Sequence, residues 1–275
     1  MKLITKFLNS LEHDLAILVQ VLQSKGSVPR EQGTWMAVFA HQLVGTIGGG
    51  QLEHQAILLA REALGNPLAT LPDHQRIALG PSLGQCCGGA LVLGFERVNA
   101  SDIPRLQGQL GLHARPLALF GGGHVGQALV KILADLPFQL HWIDSRDEVF
   151  PADTPSHVVC EHSSPVQAAV GDLTPGSSVL IMSFSHAEDL DVVSACLQRL
   201  RLHDDLPFIG LIGSATKWAT FKHRLEAKGF GPADFARITC PIGLPGIDGK
   251  SPAEIAVAVA AQLLMVHEIG GSPSL

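Results

Sequence analysis

Two adjacent thiols, Cys86 and Cys87, sit in the run Ser82-Leu83-Gly84-Gln85-Cys86-Cys87-Gly88-Gly89, where flanking glycines leave sulfur free of crowding side chains. A disulfide between them is disfavoured, because consecutive Cα atoms stand only about 3.8 Å apart, short of the usual range for a bridge. Two readings remain. The pair contacts a soft metal or a sulfur-bearing cofactor, or it is a pair of small apolar residues at a tight turn.

Three glycine-rich turns could hold oxygen anions. Gly121-Gly122-Gly123-His124-Val125-Gly126 follows an apolar run and opens a helical pattern, with Asp144 ending the next apolar run. This is the spacing of a dinucleotide-binding turn: one glycine for the bend, one for close approach of phosphate, one for packing of helix on strand. The same glycines are needed wherever a strand turns sharply into a packed helix. A second turn, Gly45-Thr46-Ile47-Gly48-Gly49-Gly50, offers bare amides ahead of a helix, with Arg30 in the preceding loop as a guanidinium fork. The competing reading is a flexible connection with Glu53 favouring the helix N-terminus and Arg30 solvated. The third, Gly213-Ser214-Ala215-Thr216-Lys217, places Lys217 in a first helical turn, where it opposes the helix dipole and asks for a negative partner. Ordinary capping by Ser214 with a solvated Lys217 is the alternative. His124 and the segment Ser183-Phe184-Ser185-His186-Ala187-Glu188-Asp189 are the remaining candidates for polar contact.

The elements that must carry these groups follow from periodicity. Strands are expected at 15–24, 34–40, 75–79 and 90–98, with a helix at 51–64 burying Leu52, Ala56 and Leu59. Residues 99–115 show no sustained periodicity, so a domain boundary is placed there, giving an N-terminal α+β domain at 1–105 that holds the cysteine loop and a second domain at 106–275. Beyond Pro116 strand and helix alternate. Strands at 117–120, 138–143, 158–160, 178–183 and 208–212, with helices through 125–133, 189–202, 217–228 and 252 to about 267, predict a Rossmann-like, doubly wound parallel sheet. The last helix carries its own start signal, Ser251-Pro252 with Glu254 completing a capping box.

Composition removes several function classes. A net charge of −6 with no dense Lys/Arg run argues against nucleic acid, which needs a basic footprint. The apolar run at 15–22 follows Glu12 and Asp14 and lacks a cleavage signature, and nothing approaches about 18 uninterrupted apolar residues, so neither a signal peptide nor a membrane span is expected. Five cysteines in a chain of 275 residues form no disulfide framework, which fits a reducing cytoplasm. The thirteen histidines include no H-x-x-H, and C-x-x-C and Walker patterns are missing, so zinc and kinase readings lack support.

In order along the chain, Lys25-Gly26-Ser27-Val28-Pro29-Arg30, Gly45–Glu53, Gly84-Gln85-Cys86-Cys87-Gly88-Gly89, Phe120–Gly126, Gly210-Leu211-Ile212-Gly213-Ser214 with Lys217, and Pro241-Ile242-Gly243-Leu244 resemble the xanthine dehydrogenase accessory proteins of the XdhC/CoxI family. The resemblance runs over roughly 15–265, and one departure is Ser183-Phe184-Ser185-His186, where the family pattern reads Thr-His-Asp-His. It implies a non-enzymatic maturation chaperone that binds molybdenum cofactor while its terminal sulfur is installed and delivers it to xanthine dehydrogenase or a related molybdenum hydroxylase. A cysteine desulfurase is then a candidate further partner, and a homo-oligomer a candidate assembly. The implied cofactor contacts are Arg30, Gly48, Gly49, Gly50, Cys86, Cys87, Gly121, Gly123, His124, Gly126, Asp144, His186, Asp189, Gly213, Ser214 and Lys217. Cys86 and Cys87 would approach molybdenum or its sulfur from a cleft facing the carboxyl edge of the parallel sheet. The competing class is an NAD(P)-dependent oxidoreductase using Gly121, Gly123, Gly126 and Asp144, with His124 or His186 as acid/base, which leaves the cysteine loop without a task.

Overall fold

Side-chain alternation in the first strand sets the layering of the N-terminal half. In β1 (Ala16–Lys25), Ile17, Val19 and Val21 point to one face and Ala16 and Leu18 to the other, and all five are buried. The computed structural model describes residues 2–26, 28, 30–66, 69–79, 89–111 and 114–269. β1 lies at the centre of an antiparallel sheet ordered β3-β2-β1-β5-β4, with β2 at Trp35–Phe39, β3 at Leu43–Gly45, β4 at His74–Ala78 and β5 at Ala90–Val98. Ala16 pairs with both Phe39 and Val98, and a shift between Val21 and Gln23 bends the long β1–β5 ladder. Helix α2 (Gly50–Gly65) covers the Ile17–Val19 face through Leu52, Ala56 and Ala60. Helix α1 (Lys2–Leu11) supplies Phe7 and Leu11 to the opposite face. Each fully buried side chain of this size contributes about 1.5–3 kcal/mol.

The stretch read as irregular is helical. Asn99 accepts from the Ser101 amide at 2.8 Å while Asp102 accepts from the Asn99 amide at 3.0 Å, a reciprocal cap that starts a 3-10 turn at Ala100–Asp102 and then α3 (Ile103–Gly111). Leu106 and Leu110 of α3 pack on Phe7 and Leu11. The boundary set at 105/106 therefore falls inside a helix of the first unit, and the two compact units are Leu3–Leu112 and, for the second, chiefly His113–Leu275. Helix α1 and strand β3 are also additions to the elements read from periodicity.

In the second unit the strands are β6 (Arg115–Phe120), β7 (Phe138–Asp144), β8 (Val159–His162), β9 (Ser178–Ile181), β10 (Ile209–Leu211) and β11 (Ile238–Thr239). They form one parallel sheet ordered β11-β10-β9-β6-β7-β8. Numbered from β6 this is the 3-2-1-4-5-6 order of dinucleotide-binding sheets, with its switch point between β6 and β9. Helices α4 (His124–Leu133) and α8 (Pro252–Ile269) bury Leu129, Leu133, Val259 and Leu263 on one face. On the other face α5 (His186–His203) and α6 (Ala215–Ala227) bury Val193, Leu197, Phe221 and Leu225, and a short α7 (Pro232–Phe235) precedes β11. The Rossmann-like class expected from the alternating pattern is thus observed. No described helix is long and apolar enough to cross a membrane.

Candidate functional site

Three of the four glycines at the β6–α4 junction, Gly121, Gly123 and Gly126, each do a different job. Gly121 sits at φ 124°, and a side chain there would strike the Met182 carbonyl of the neighbouring strand end. Gly126 lets α4 press on the turn, since a Cβ would collide with the Gly121 carbonyl. At Gly123 a Cβ would meet nothing within 4 Å, so the space beside the helix start is open. These are the bend, packing and approach roles of a phosphate-binding turn. Gly123 precedes the helix without any side-chain cap, whereas α5 and α6 are capped by Ser185 and Ser214. The turn is held from behind by Trp142 Nε1, which donates to the Gly121 carbonyl at 2.9 Å, and by Gln127, which donates to that of Gly122 at 3.1 Å.

Asp144 is in place but committed. It is 1% exposed; its carboxylate accepts from the Gly122 amide at 2.6 Å and, each at 2.9 Å, from the Arg146 amide, Nε and Nη2. Burial works to raise its pKa, yet the Arg146 side chain and the two amides outweigh that and hold the carboxyl below its ordinary value. The oxygens that would receive a ribose hydroxyl are already bonded. Val149 closes over Gly122, its methyls 2.7 and 2.8 Å from where a Cβ would stand. The Arg146 guanidinium lies 4.5 Å from the ring centroid of Phe184, a side chain 65% exposed.

The strongest cluster joins two of the sequence candidates across the sheet edge. Lys217 Nζ donates to Asp189 Oδ2 at 2.6 Å and to the Ile212 carbonyl at 2.8 Å, and Asp189 Oδ1 accepts from the Ser183 amide at 2.7 Å. Both side chains are nearly buried, 11% and 3% exposed. The negative partner that Lys217 asks for is thus the chain's own Asp189, a correction to the reading in which the Gly213–Lys217 junction surrounds an external anion or leaves the lysine solvated. Removing one member of such a pair costs about 3–5 kcal/mol. Ser214 caps α6 by accepting from the Lys217 amide at 3.2 Å. A Cβ on Gly213 would meet Lys217 Cδ at 2.7 Å and Cys240 Sγ at 3.5 Å, so the lysine stem and a thiol converge over that glycine. Burial pushes the Cys240 thiol up, with Lys217 pulling the other way and Asp189 adding to the rise.

The N-terminal turn is likewise filled from within. Glu53 Oε2 accepts from the Thr46 hydroxyl, from the Ile47 amide at 2.9 Å and from the Gly49 amide at 3.1 Å, while the Gly48 amide donates to Thr46 Oγ1 at 3.1 Å. The docking of an external anion at Gly48, Gly49 and Gly50 is corrected accordingly: a carboxylate of α2 already takes the place that such an anion would need. Arg30, His124 and His186 are exposed, the last with its ring 6.3 Å edge-on from Phe221. Cys86 and Cys87 lie outside the described residues. Among the described residues no group of three or more His, Cys, Asp or Glu is arranged to hold a metal ion.

Sequence reasoning missed Arg146 and Cys240, and it named Ser183 only as part of the segment 183–189. Ser183 Oγ is the one buried side-chain polar atom without a hydrogen-bond partner among the described residues. The Arg146 position had a signal, a cation two residues beyond the strand-ending acid; Cys240 had none, because the fold brings it to Gly213 and Lys217 from another strand end.

Comparison with known proteins supplies a second line of evidence. Residues 117–263 match the XdhC Rossmann domain family, and residues 12–71 match the XdhC and CoxI family. The chain is 30% identical over 254 residues to an Escherichia coli K12 protein described as the uncharacterized protein YqeB, of which it spans 43%. Its fold is similar to that of a crystal structure described as a xanthine dehydrogenase from Bacillus halodurans, with a TM-score of 0.77 at 18% identity, covering 100% of this chain and 98% of that one.

Proposed function

We propose that this chain, which belongs to the XdhC and CoxI family, is an accessory protein that binds molybdenum cofactor and hands it to a xanthine dehydrogenase or a related molybdenum hydroxylase, without turning over a substrate itself. The observation that carries the reading is the uncapped β6–α4 turn with open space at Gly123, in a chain whose two halves both match the family. Molybdopterin brings a phosphate, a polar fused ring and a sulfur-rich metal centre. Residues of suitable chemistry exist for each. The first-turn amides of α4 suit the phosphate, the unpartnered Ser183 hydroxyl and Lys217 suit ring polar groups, and Cys86 and Cys87 suit the soft centre. The work of the chain is to hold and shield; a cysteine desulfurase would supply sulfur.

The test is compositional first. Protein purified from cells that make the cofactor is expected to carry bound pterin, and a co-resident molybdenum hydroxylase to lack activity when this chain is deleted. Full hydroxylase activity in the deletion strain would sink the reading. The sheet order and the three glycine roles also favour a pyridine-nucleotide oxidoreductase, but the commitment of Asp144 to Gly122 and Arg146 weighs against it. Titration with NAD and NADP separates the two: tight binding with hydride transfer would select the oxidoreductase.

A further inference from the structure

We propose, resting on the cofactor-binding reading above, that Ser183, Lys217 and Cys240 form a subsite for a cyclic amide, the adjoining C=O and N–H of a pterin ring, at the carboxyl ends of β9, β10 and β11. The first observation is the Ser183 hydroxyl, buried and without a partner. A native structure rarely leaves such an atom unsatisfied, and a ligand group is one of the few explanations. A hydroxyl both donates and accepts, so it can take the ring N–H.

Lys217 provides the complementary donor. Two of its three N–H groups go to Asp189 and the Ile212 carbonyl, which leaves one for a ligand oxygen. Spacing follows from Asp189: the Ser183 amide bonds one oxygen of that carboxylate and Lys217 the other, so the serine and the ammonium stand side by side across a single carboxylate. The two adjacent polar atoms of a cyclic amide have that arrangement.

Charge then selects among ligands. Asp189 cancels Lys217, and a phosphate would face a carboxylate just 2.6 Å behind the ammonium, so a neutral carbonyl is the better occupant. Phosphate is left to the turn at Gly123. Phe184, next to Ser183 and 65% exposed, offers the apolar surface that a fused ring needs. Cys240 Sγ, converging with the Lys217 stem over Gly213, borders the subsite and serves as its reporter.

The experiment titrates the full chain with pterin, followed by the fluorescence of the probe, against three comparators: its diamino analogue, in which an amino group replaces the ring oxygen; guanosine, which carries the same amide on a purine; and inorganic phosphate. Pterin is expected to bind about ten-fold more tightly than the diamino analogue, and Ser183→Ala to lose about ten-fold for pterin, the worth of one hydrogen bond, with phosphate unaffected. Lys217→Met with Asp189→Asn removes the pair together, so no lone buried charge remains, and should lose pterin binding as well. Pterin should also slow alkylation of Cys240, read by peptide mass spectrometry, without slowing that of the exposed Cys160. Equal affinity for pterin and its diamino analogue, or unchanged pterin affinity in Ser183→Ala, overturns the subsite and leaves the hydroxyl to a water. Guanosine binding as tightly as pterin overturns the pterin assignment. A purified protein that lacks molybdopterin yet shows this pterin pattern defeats the cofactor reading and keeps the subsite; retention of molybdopterin at wild-type level by Ser183→Ala does the reverse.

Discussion

The Asp144 carboxylate ties the glycine turn to Arg146, so acid is the condition that loosens it. Burial alone would raise this group, but Arg146 and the Gly122 and Arg146 amides prevail, and the folded pKa lies below the unfolded one. Its stabilising contribution is therefore complete above the unfolded value, about 3.9, and is lost as pH falls through the lower folded value. Urea unfolding measured from neutral pH down to about 3 should show this loss in the native chain, and Asp144→Asn should flatten that limb while costing about 1–3 kcal/mol at neutral pH. An unchanged acid limb in the variant would mean that Asp144 carries none of it. In the other unit the Glu53 carboxylate ties its own glycine turn through hydrogen bonds. Glu53→Ala strips the Ile47 and Gly49 amides and the Thr46 hydroxyl of their acceptor, and should lower stability by about 1–3 kcal/mol in the same assay.

At the scale of elements, the junction of β6 with α4 separates packing from binding within one motif. Gly126→Ala drives a methyl into the Gly121 carbonyl, and should destabilise by about 1–3 kcal/mol, the usual consequence of overpacking. Gly123→Ala meets open space at φ −70°, so its stability should stay within about 0.5 kcal/mol of the native chain while bound pterin per chain falls. Denaturation of the two variants, with pterin analysis of the second, checks both halves; a destabilised Gly123→Ala or full pterin content in it would contradict the assignment of roles. This turn was readable in advance because its glycines and Asp144 obey a spacing that serves a single local geometry. Helix α3 was not, since Pro104 and Gly108 break into its short run and its apolar residues Ile103, Leu106 and Leu110 are held by the cluster that contains Phe7 and Leu11.

Taken as a whole molecule, each unit has its own sheet with buried clusters on both faces. Residues 113–269 produced alone should therefore unfold cooperatively in urea with intact α/β circular dichroism; a non-cooperative, molten profile would show that the unit needs the other to fold. Replacing Cys86 and Cys87 together by alanine should leave the unfolding curve of the full chain in place while lowering its pterin content, and normal content would return the pair to a structural role. By itself the sequence determined the two-part organisation, the parallel doubly wound sheet, the glycine turns and the family, because each depends on residues two, three or four apart or on short ordered motifs. Which polar groups remain free for a ligand was decided only in three dimensions. Gly122 meets Asp144 across 22 residues and Lys217 meets Asp189 across 28, and Glu53 turns back on its own loop. Hydrogen-bond capacity is used up by whichever donors and acceptors the fold brings within 3 Å or so, so the Gly122, Ile47 and Gly49 amides and the Asp144, Asp189 and Glu53 carboxylates, which look available in the chain, are already bonded, whereas the hydroxyl of Ser183 is the one buried side-chain polar atom left without a partner among the described residues.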